Sequence, residues 1–205
     1  ARTWITLDGE RVGFLTEDVA AGETETATFT LDLDERDAGE REIRAFTADD
    51  TSNARTVTVL EPADFALAGA DPVSAPAEVS EGDPIDVDVD VENDGGVEGT
   101  TNVTLAADGE TVAEEAVTVA GDVTETVTLT ADEAFDPGDV TLTAAVEGAD
   151  GQASATTTVL APADLDVTVD SATDPALTDE TLTVTGEVSN DGDKEGTTEV
   201  AFEVD

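Results

Sequence analysis

Between positions 85 and 91 apolar and acidic residues alternate without a break: Ile85-Asp86-Val87-Asp88-Val89-Asp90-Val91. Successive side chains of a strand project to opposite faces, so the run sets an apolar face against a row of carboxylates. Val123-Thr124-Glu125-Thr126-Val127-Thr128-Leu129 alternates less cleanly, with Val127 and Leu129 on one side. Val140-Thr141-Leu142-Thr143-Ala144 and Thr156-Thr157-Thr158-Val159-Leu160 read as closing strands. Threonine suits such strands because its branched Cβ fits a pleated, half-wet face. Turn chemistry separates the runs: Asn93-Asp94-Gly95-Gly96, Asn190-Asp191-Gly192, Pro137-Gly138, and the hairpin pairs Asp8-Gly9 and Asp108-Gly109. No segment carries helical periodicity with caps. Short strands, frequent turns and no helix predict an all-β antiparallel sandwich, immunoglobulin-like, with about seven strands per unit. Its core is expected to hold Val87, Val89, Val103, Leu105, Val127, Leu129 and Leu142.

The pattern repeats. Leu60-Glu61-Pro62-Ala63-Asp64-Phe65 returns 100 positions later as Leu160-Ala161-Pro162-Ala163-Asp164-Leu165. Val91-Glu92-Asn93-Asp94-Gly95 returns as Val188-Ser189-Asn190-Asp191-Gly192, and Glu98-Gly99-Thr100-Thr101 as Glu195-Gly196-Thr197-Thr198. Asp8-Gly9-Glu10 matches Asp108-Gly109-Glu110, and Ala21-Gly22-Glu23 matches Ala120-Gly121-Asp122. A period near 100 residues is the size of an immunoglobulin domain. The frame predicts a partial sandwich of later strands over 1–61, a complete one over 62–161, and a partial one of early strands over 162–205. These residues are therefore expected to belong to an array, either covalent or built from subunits. The connector Ala161-Pro162-Ala163-Asp164 is short, and its proline favours a semi-rigid string of domains.

Charge changes the picture most. The chain has 51 Asp and Glu against 7 Lys and Arg, a net charge of −44. Such a surface repels nucleic acid and anionic membranes. It also repels itself until salt shortens the Debye length from about 10 Å at 0.1 M to about 3 Å at 1 M. A protein stabilised by high Na+ or K+, from a salt-loving source, is expected; an ordinary acidic extracellular domain is the alternative. There is no cysteine, hence no disulfide and no thiolate site. No apolar run approaches the ~20 residues of a membrane span. The sequence opens at Ala1 with no methionine and no charged-then-apolar leader, and is expected to be either a processed product or part of something longer.

The run Glu81-Gly82-Asp83-Pro84-Ile85 through Val91-Glu92-Asn93-Asp94-Gly95 resembles the opening of CARDB domains, the cell-adhesion-related domain found in bacteria. The hairpin Val103-Thr104-Leu105 through Asp108-Gly109-Glu110-Thr111-Val112 is similar to that family's central hairpin. Ala120-Gly121-Asp122 with Thr126-Val127-Thr128-Leu129 resembles a further stretch, Ala120 replacing the usual proline. In Asp136-Pro137-Gly138-Asp139-Val140, Val140 stands where an aromatic is common. The resemblance implies a seven-stranded sandwich on secreted, multi-domain surface proteins, many of them haloarchaeal. It implies no catalytic residue.

Candidate chemistry is sparse. Without His, Cys, Tyr or Met the commonest general bases and soft metal ligands are missing, and no enzymatic activity is expected. Calcium is the one ion the acids could hold, weakly: Asp32, Asp34 and Glu35 cluster, as do Asp86, Asp88, Asp90 and Glu92, but neither forms a wrapping loop. Asn93-Asp94 and Asn190-Asp191 read as turn formers. Asn102-Val103-Thr104 is an N-glycosylation acceptor, with Asn102 expected on the outer face. Trp4, the sole tryptophan, is expected to face away from Ile5 and Leu7. It is either partly covered by a neighbouring loop or an inter-domain or inter-subunit contact. Arg11, Arg36, Arg41, Arg44 and Arg55 mark either local pairing with acids or a docking face for a neighbouring repeat or an identical subunit, arranged head-to-tail. The functional expectation is an extracellular structural or adhesion protein at the cell surface: a stalk, filament or surface-layer component. A sugar- or protein-binding surface module, or a viral fibre or spike segment, is the alternative.

Overall fold

The computed structural model describes residues 2–33, 38–174, 179 and 181–203, and it is all-β throughout these residues. Contacts gather them into two compact units: Ala1–Asp64 with Asn93–Gly99 and Ala120–Asp122, and Phe65–Glu92 with Thr100–Val119 and Val123–Asp205.

In the first unit β1 (Arg2–Leu7), β2 (Glu10–Thr16), β3 (Gly39–Phe46) and β4 (Arg55–Val59) form one antiparallel sheet in the order β2-β1-β3-β4. Asp8 and Gly9, at φ 50° and 85°, close the β1–β2 hairpin, the left-handed geometry that an Asp-Gly pair tolerates. A bulge between Ile5 and Thr6 breaks strict alternation, so that Thr6 and Leu7 are both buried.

The second unit holds the core. β8 (Ile85–Asn93) is flanked by β11 (Val123–Ala131) and β5 (Phe65–Leu67), with β6 (Val73–Ser74) also on β8. The facing sheet runs β10-β9-β12-β13-β7, from β7 (Glu78–Ser80), β9 (Gly99–Ala107), β10 (Glu110–Val119), β12 (Gly138–Val146) and β13 (Ala153–Leu160). All seven expected core residues are buried between these sheets, joined by Ile85, Val91, Val119, Val146 and Val159. One pair departs from the antiparallel expectation: β7 runs parallel to β13. The chain has by then crossed from the sheet of β6 to the facing sheet, and no hairpin dictates its direction. A separate two-stranded sheet pairs β14 (Leu165–Ala172) with β15 (Val184–Asn190).

The repeat is physical as well as textual. The order β2-β1-β3-β4 reproduces β10-β9-β12-β13. Leu7 opposes Ile43 as Ala107 opposes Leu142. Asp8 Oδ1 accepts the Glu42 amide at 2.7 Å, and Asp108 Oδ1 accepts the Thr141 amide at 2.9 Å. Left-handed backbone falls at Gly22 and Asp122, which shifts the expected alignment of that turn by one residue, to Ala21-Gly22 on Gly121-Asp122. Phe29 then corresponds to Leu129, yet residues 23–33 form no strand. In the middle repeat β11 bonds to β8; among the described residues the first unit offers no counterpart of β8, so the segment has no ladder to join there.

Candidate functional site

Two constellations stand out: a pinned linker that occurs twice, and an aromatic–arginine face that occurs once.

The linker is held by a buried asparagine at the end of β8. Asn93 Oδ1 accepts the amides of Asp64 and Gly95, both at 3.0 Å. Its Nδ2 donates to the carbonyls of Val97 at 2.8 Å and Ala120 at 3.3 Å. Around it the Asp94 amide donates to Asp64 O and the Gly96 amide to Glu61 O. A Cβ on Gly95 would overlap the Pro62 carbonyl oxygen, so only glycine lets the turn reach the linker. The same set recurs after β15. Asn190 Oδ1 accepts the amides of Asp164 and Gly192, each at 3.1 Å, and Nδ2 donates to Lys194 O at 2.7 Å. Asp191 and Asp193 amides donate to Asp164 O and Ala161 O, and a Cβ on Gly192 would meet Pro162 O. Turn formation alone therefore undersells these asparagines: each ties the incoming linker to the turn that follows its own strand, β8 or β15. Lys194 Nζ also hydrogen-bonds Ser80 Oγ. The environments differ in one respect. Asn93 is 1% exposed, whereas Asn190 is exposed, with no counterpart to the Ala120 carbonyl bonded to it.

The aromatic–arginine face lies on β1, β2 and β3. Trp4 opposes Phe14 on one side and Phe46 on the other. The Trp4 and Phe14 rings are 5.3 Å apart, tilted by 54°. Arg2 sits over Phe14 at 4.6 Å and Trp4 at 5.6 Å; Arg11 sits over Trp4 at 4.7 Å and Phe46 at 5.2 Å. Trp4 thus lies on the face opposite the cavity that Ile5, Leu7, Val12, Phe29, Leu31 and Ile43 line. Arg2, not singled out from the sequence, completes the cluster; its signal was the shared strand face with Trp4 two residues on.

The other arginines behave differently. Arg41 pairs with Asp8 Oδ2 at 3.1 Å and Arg44 with Glu42 Oε1 at 2.6 Å, so these two are bound to local acids. The Glu42 amide, then the Arg41 guanidinium, hold the Asp8 carboxyl below its ordinary value, and Arg44 does the same for Glu42. Arg55 is exposed on β4, and Arg36 lies outside the described residues. Asn102 is on the outer side of β9, its Nδ2 donating to Glu147 at 2.9 Å.

The acidic face of β8 is tied down by hydroxyls: Thr126, Thr128 and Thr130 donate to Asp90, Asp88 and Asp86 at 2.5, 2.6 and 2.7 Å. Among the described residues no three carboxylates converge to hold a metal; Asp34 and Glu35 lie outside them. Among the described residues no helix is long and apolar enough to cross a membrane.

No family model matches the chain, and no curated protein matches it. Among solved structures it is similar to the CARDB domain of a Pyrococcus furiosus protein, crystallised in complex with di-metal ions. The TM-score is 0.41 and the identity 18%, over 50% of this chain and 97% of that domain. A solution structure of the same domain gives 0.40 and 17%, over 48% and 96%. A β-glucosidase from Erythrobacter marinus is similar at 0.41 and 18%, over 47% of this chain; the match spans 15% of the glucosidase. Each of these likenesses covers about half of this chain.

Proposed function

We propose that the chain is a load-bearing, non-enzymatic piece of an extracellular adhesion or surface structure, built of tandem immunoglobulin-like repeats and working in concentrated salt. Its frame is 1–61, 62–161 and 162–205. The observation that carries this reading is the recurrence of one linker latch at both junctions, down to the same asparagine, glycine and backbone partners. A flexible tether needs no such latch, whereas a stalk or filament does. Composition supports the setting: −44 net charge suits a medium that screens it. Antibodies raised against the chain should label the outer surface or shed filaments of the cells that make it in immunogold electron microscopy. Labelling confined to the cell interior would sink the reading.

The same proposal names a partner. In the middle repeat the sheet carrying β9, β12 and β13 is covered by β5, β8 and β11. The equivalent sheet of the first unit has Phe29 and Leu31 against an open apolar cavity of about 210 Å³. The sequence that covers such a face is the early-strand segment, and β14–β15 is a second edition of it, with Val167 and Val188 exposed. We take the occupant to be β14–β15 of an identical subunit, added head-to-tail. Light scattering of the chain at about 2 M KCl should show concentration-dependent polymers; a monomer at every concentration would exclude this partner.

A further inference from the structure

In a chain with 51 Asp and Glu, few guanidiniums escape an ion pair. Among the described residues Arg2 and Arg11 make no ion pair, although Arg41 and Arg44, on the same sheet, both do. Both are instead held over aromatic rings. A guanidinium whose centre lies over a ring still has N–H groups to offer, and these suit a carboxylate or sulfate in a forked pair. The two flank a shallow, open depression lined by Arg2, Trp4, Arg11, Phe46, Thr47 and Asp49. The Asp49 side chain is exposed at its rim, an acceptor suited to hydroxyls. The Thr47 hydroxyl is already taken by the amides of Asp49 and Asp50.

The middle repeat has none of this. At the positions equivalent to Arg2, Trp4, Arg11, Phe14 and Phe46 it carries Asn102, Thr104, Thr111, Glu114 and Ala145. The cluster is therefore not a requirement of the fold, which closes the same hairpin and the same sheet register without it.

We infer that the Arg2–Trp4–Arg11 face is a binding site for an acidic sugar residue of a polysaccharide. Its carboxylate or sulfate would lie on the guanidiniums, its ring against the aromatics, and a hydroxyl on Asp49. Size decides against a protein partner: a stable protein interface takes roughly 800 Å² and 20–30 residues a side, and this patch is a handful of side chains. Concentrated salt screens the long-range repulsion between an acidic glycan and this chain, while paired contacts at hydrogen-bond distance persist. The site stands on its own residues and does not depend on the chain being a stalk.

Trp4 is the sole tryptophan, so its fluorescence reports on this site alone. The intact chain is titrated at about 1 M KCl with a galacturonate oligomer, a sulfated oligosaccharide, a neutral oligosaccharide of equal length and a polyglutamate peptide. Saturable change with either acidic sugar and none with the neutral one is expected, the stronger of the two acids identifying the anion. The R2Q/R11Q double variant should bind at least tenfold more weakly, with the R55Q variant unchanged and all variants matched for melting temperature. No saturable response to either acidic sugar, equal affinity in R2Q/R11Q, or equal binding of polyglutamate would overturn the assignment.

Discussion

Replacing Asn93 by alanine strips at least four hydrogen bonds from a buried side chain. The side chain is 1% exposed. Its loss leaves the amides of Asp64 and Gly95 and the carbonyls of Val97 and Ala120 short of a partner. Each hydrogen bond contributes about 1 kcal/mol net, and each buried group left bare costs about 1–3 kcal/mol. Some of the four will find water or a backbone alternative, so the expected loss is about 3–4 kcal/mol. For a domain of this size that lowers the midpoint by roughly 15–25 °C. Asn93→Asp, isosteric but unable to donate, sets an oxygen against two carbonyls and should do no better. Asn190→Ala removes three equivalent bonds from an exposed site and should cost under about 1 kcal/mol, since water replaces them. Melting followed by near-ultraviolet circular dichroism in concentrated KCl separates the cases. A loss below about 1 kcal/mol for Asn93→Ala, or equal losses at the two asparagines, would refute the reasoning.

Three further outcomes are expected. Thr157 is fully buried and, among the described residues, its hydroxyl has no partner, so Thr157→Val, equal in shape, should stabilise the middle sandwich by about 1 kcal/mol in the same melts; destabilisation would show a hidden partner. The unfolding midpoint should rise by on the order of 10 °C between about 0.1 M and 2 M KCl as carboxylate repulsion is screened, and a flat response would remove the high-salt inference. Asp8 and Glu42 have folded pKa values below their ordinary ones, so what they contribute is present above the ordinary carboxylate range and is lost as pH falls through the folded values. Asp8→Asn should therefore make the acid limb of unfolding shallower below about pH 4, read by melts across that range; an unchanged limb would contradict the Arg41 and Glu42 contacts.

Legibility followed the locality of the signal. The alternation at Ile85–Val91 and the Asp-Gly hairpins depend on neighbouring residues only, and they placed β8, β9 and the core correctly. Residues 26–31 alternate as β11 does, but a strand exists only where a neighbour supplies a ladder, and alternation cannot announce that neighbour. The bulge at Ile5/Thr6 and the parallel β7–β13 pair likewise depend on distant backbone. Five arginines were visible as a group and Arg2 was missed, and the sequence could not sort those beside acids, Arg41 and Arg44, from Arg11, which lies over rings. The latch was half legible. Asn93 and Asn190 recur with Gly95 and Gly192, and with Pro62 and Pro162, and that joint recurrence pointed to one shared geometry.

The claim on which the account rests is that the linker is pinned rather than free, and backbone 15N relaxation measures it directly. In concentrated KCl, the amides of Asp64, Asp94, Gly95 and Gly96 should give order parameters near 0.85, about those of the β8 strand beside them. Values below about 0.6 at these four amides would mean a flexible tether and would contradict the reading of this chain as a load-bearing array.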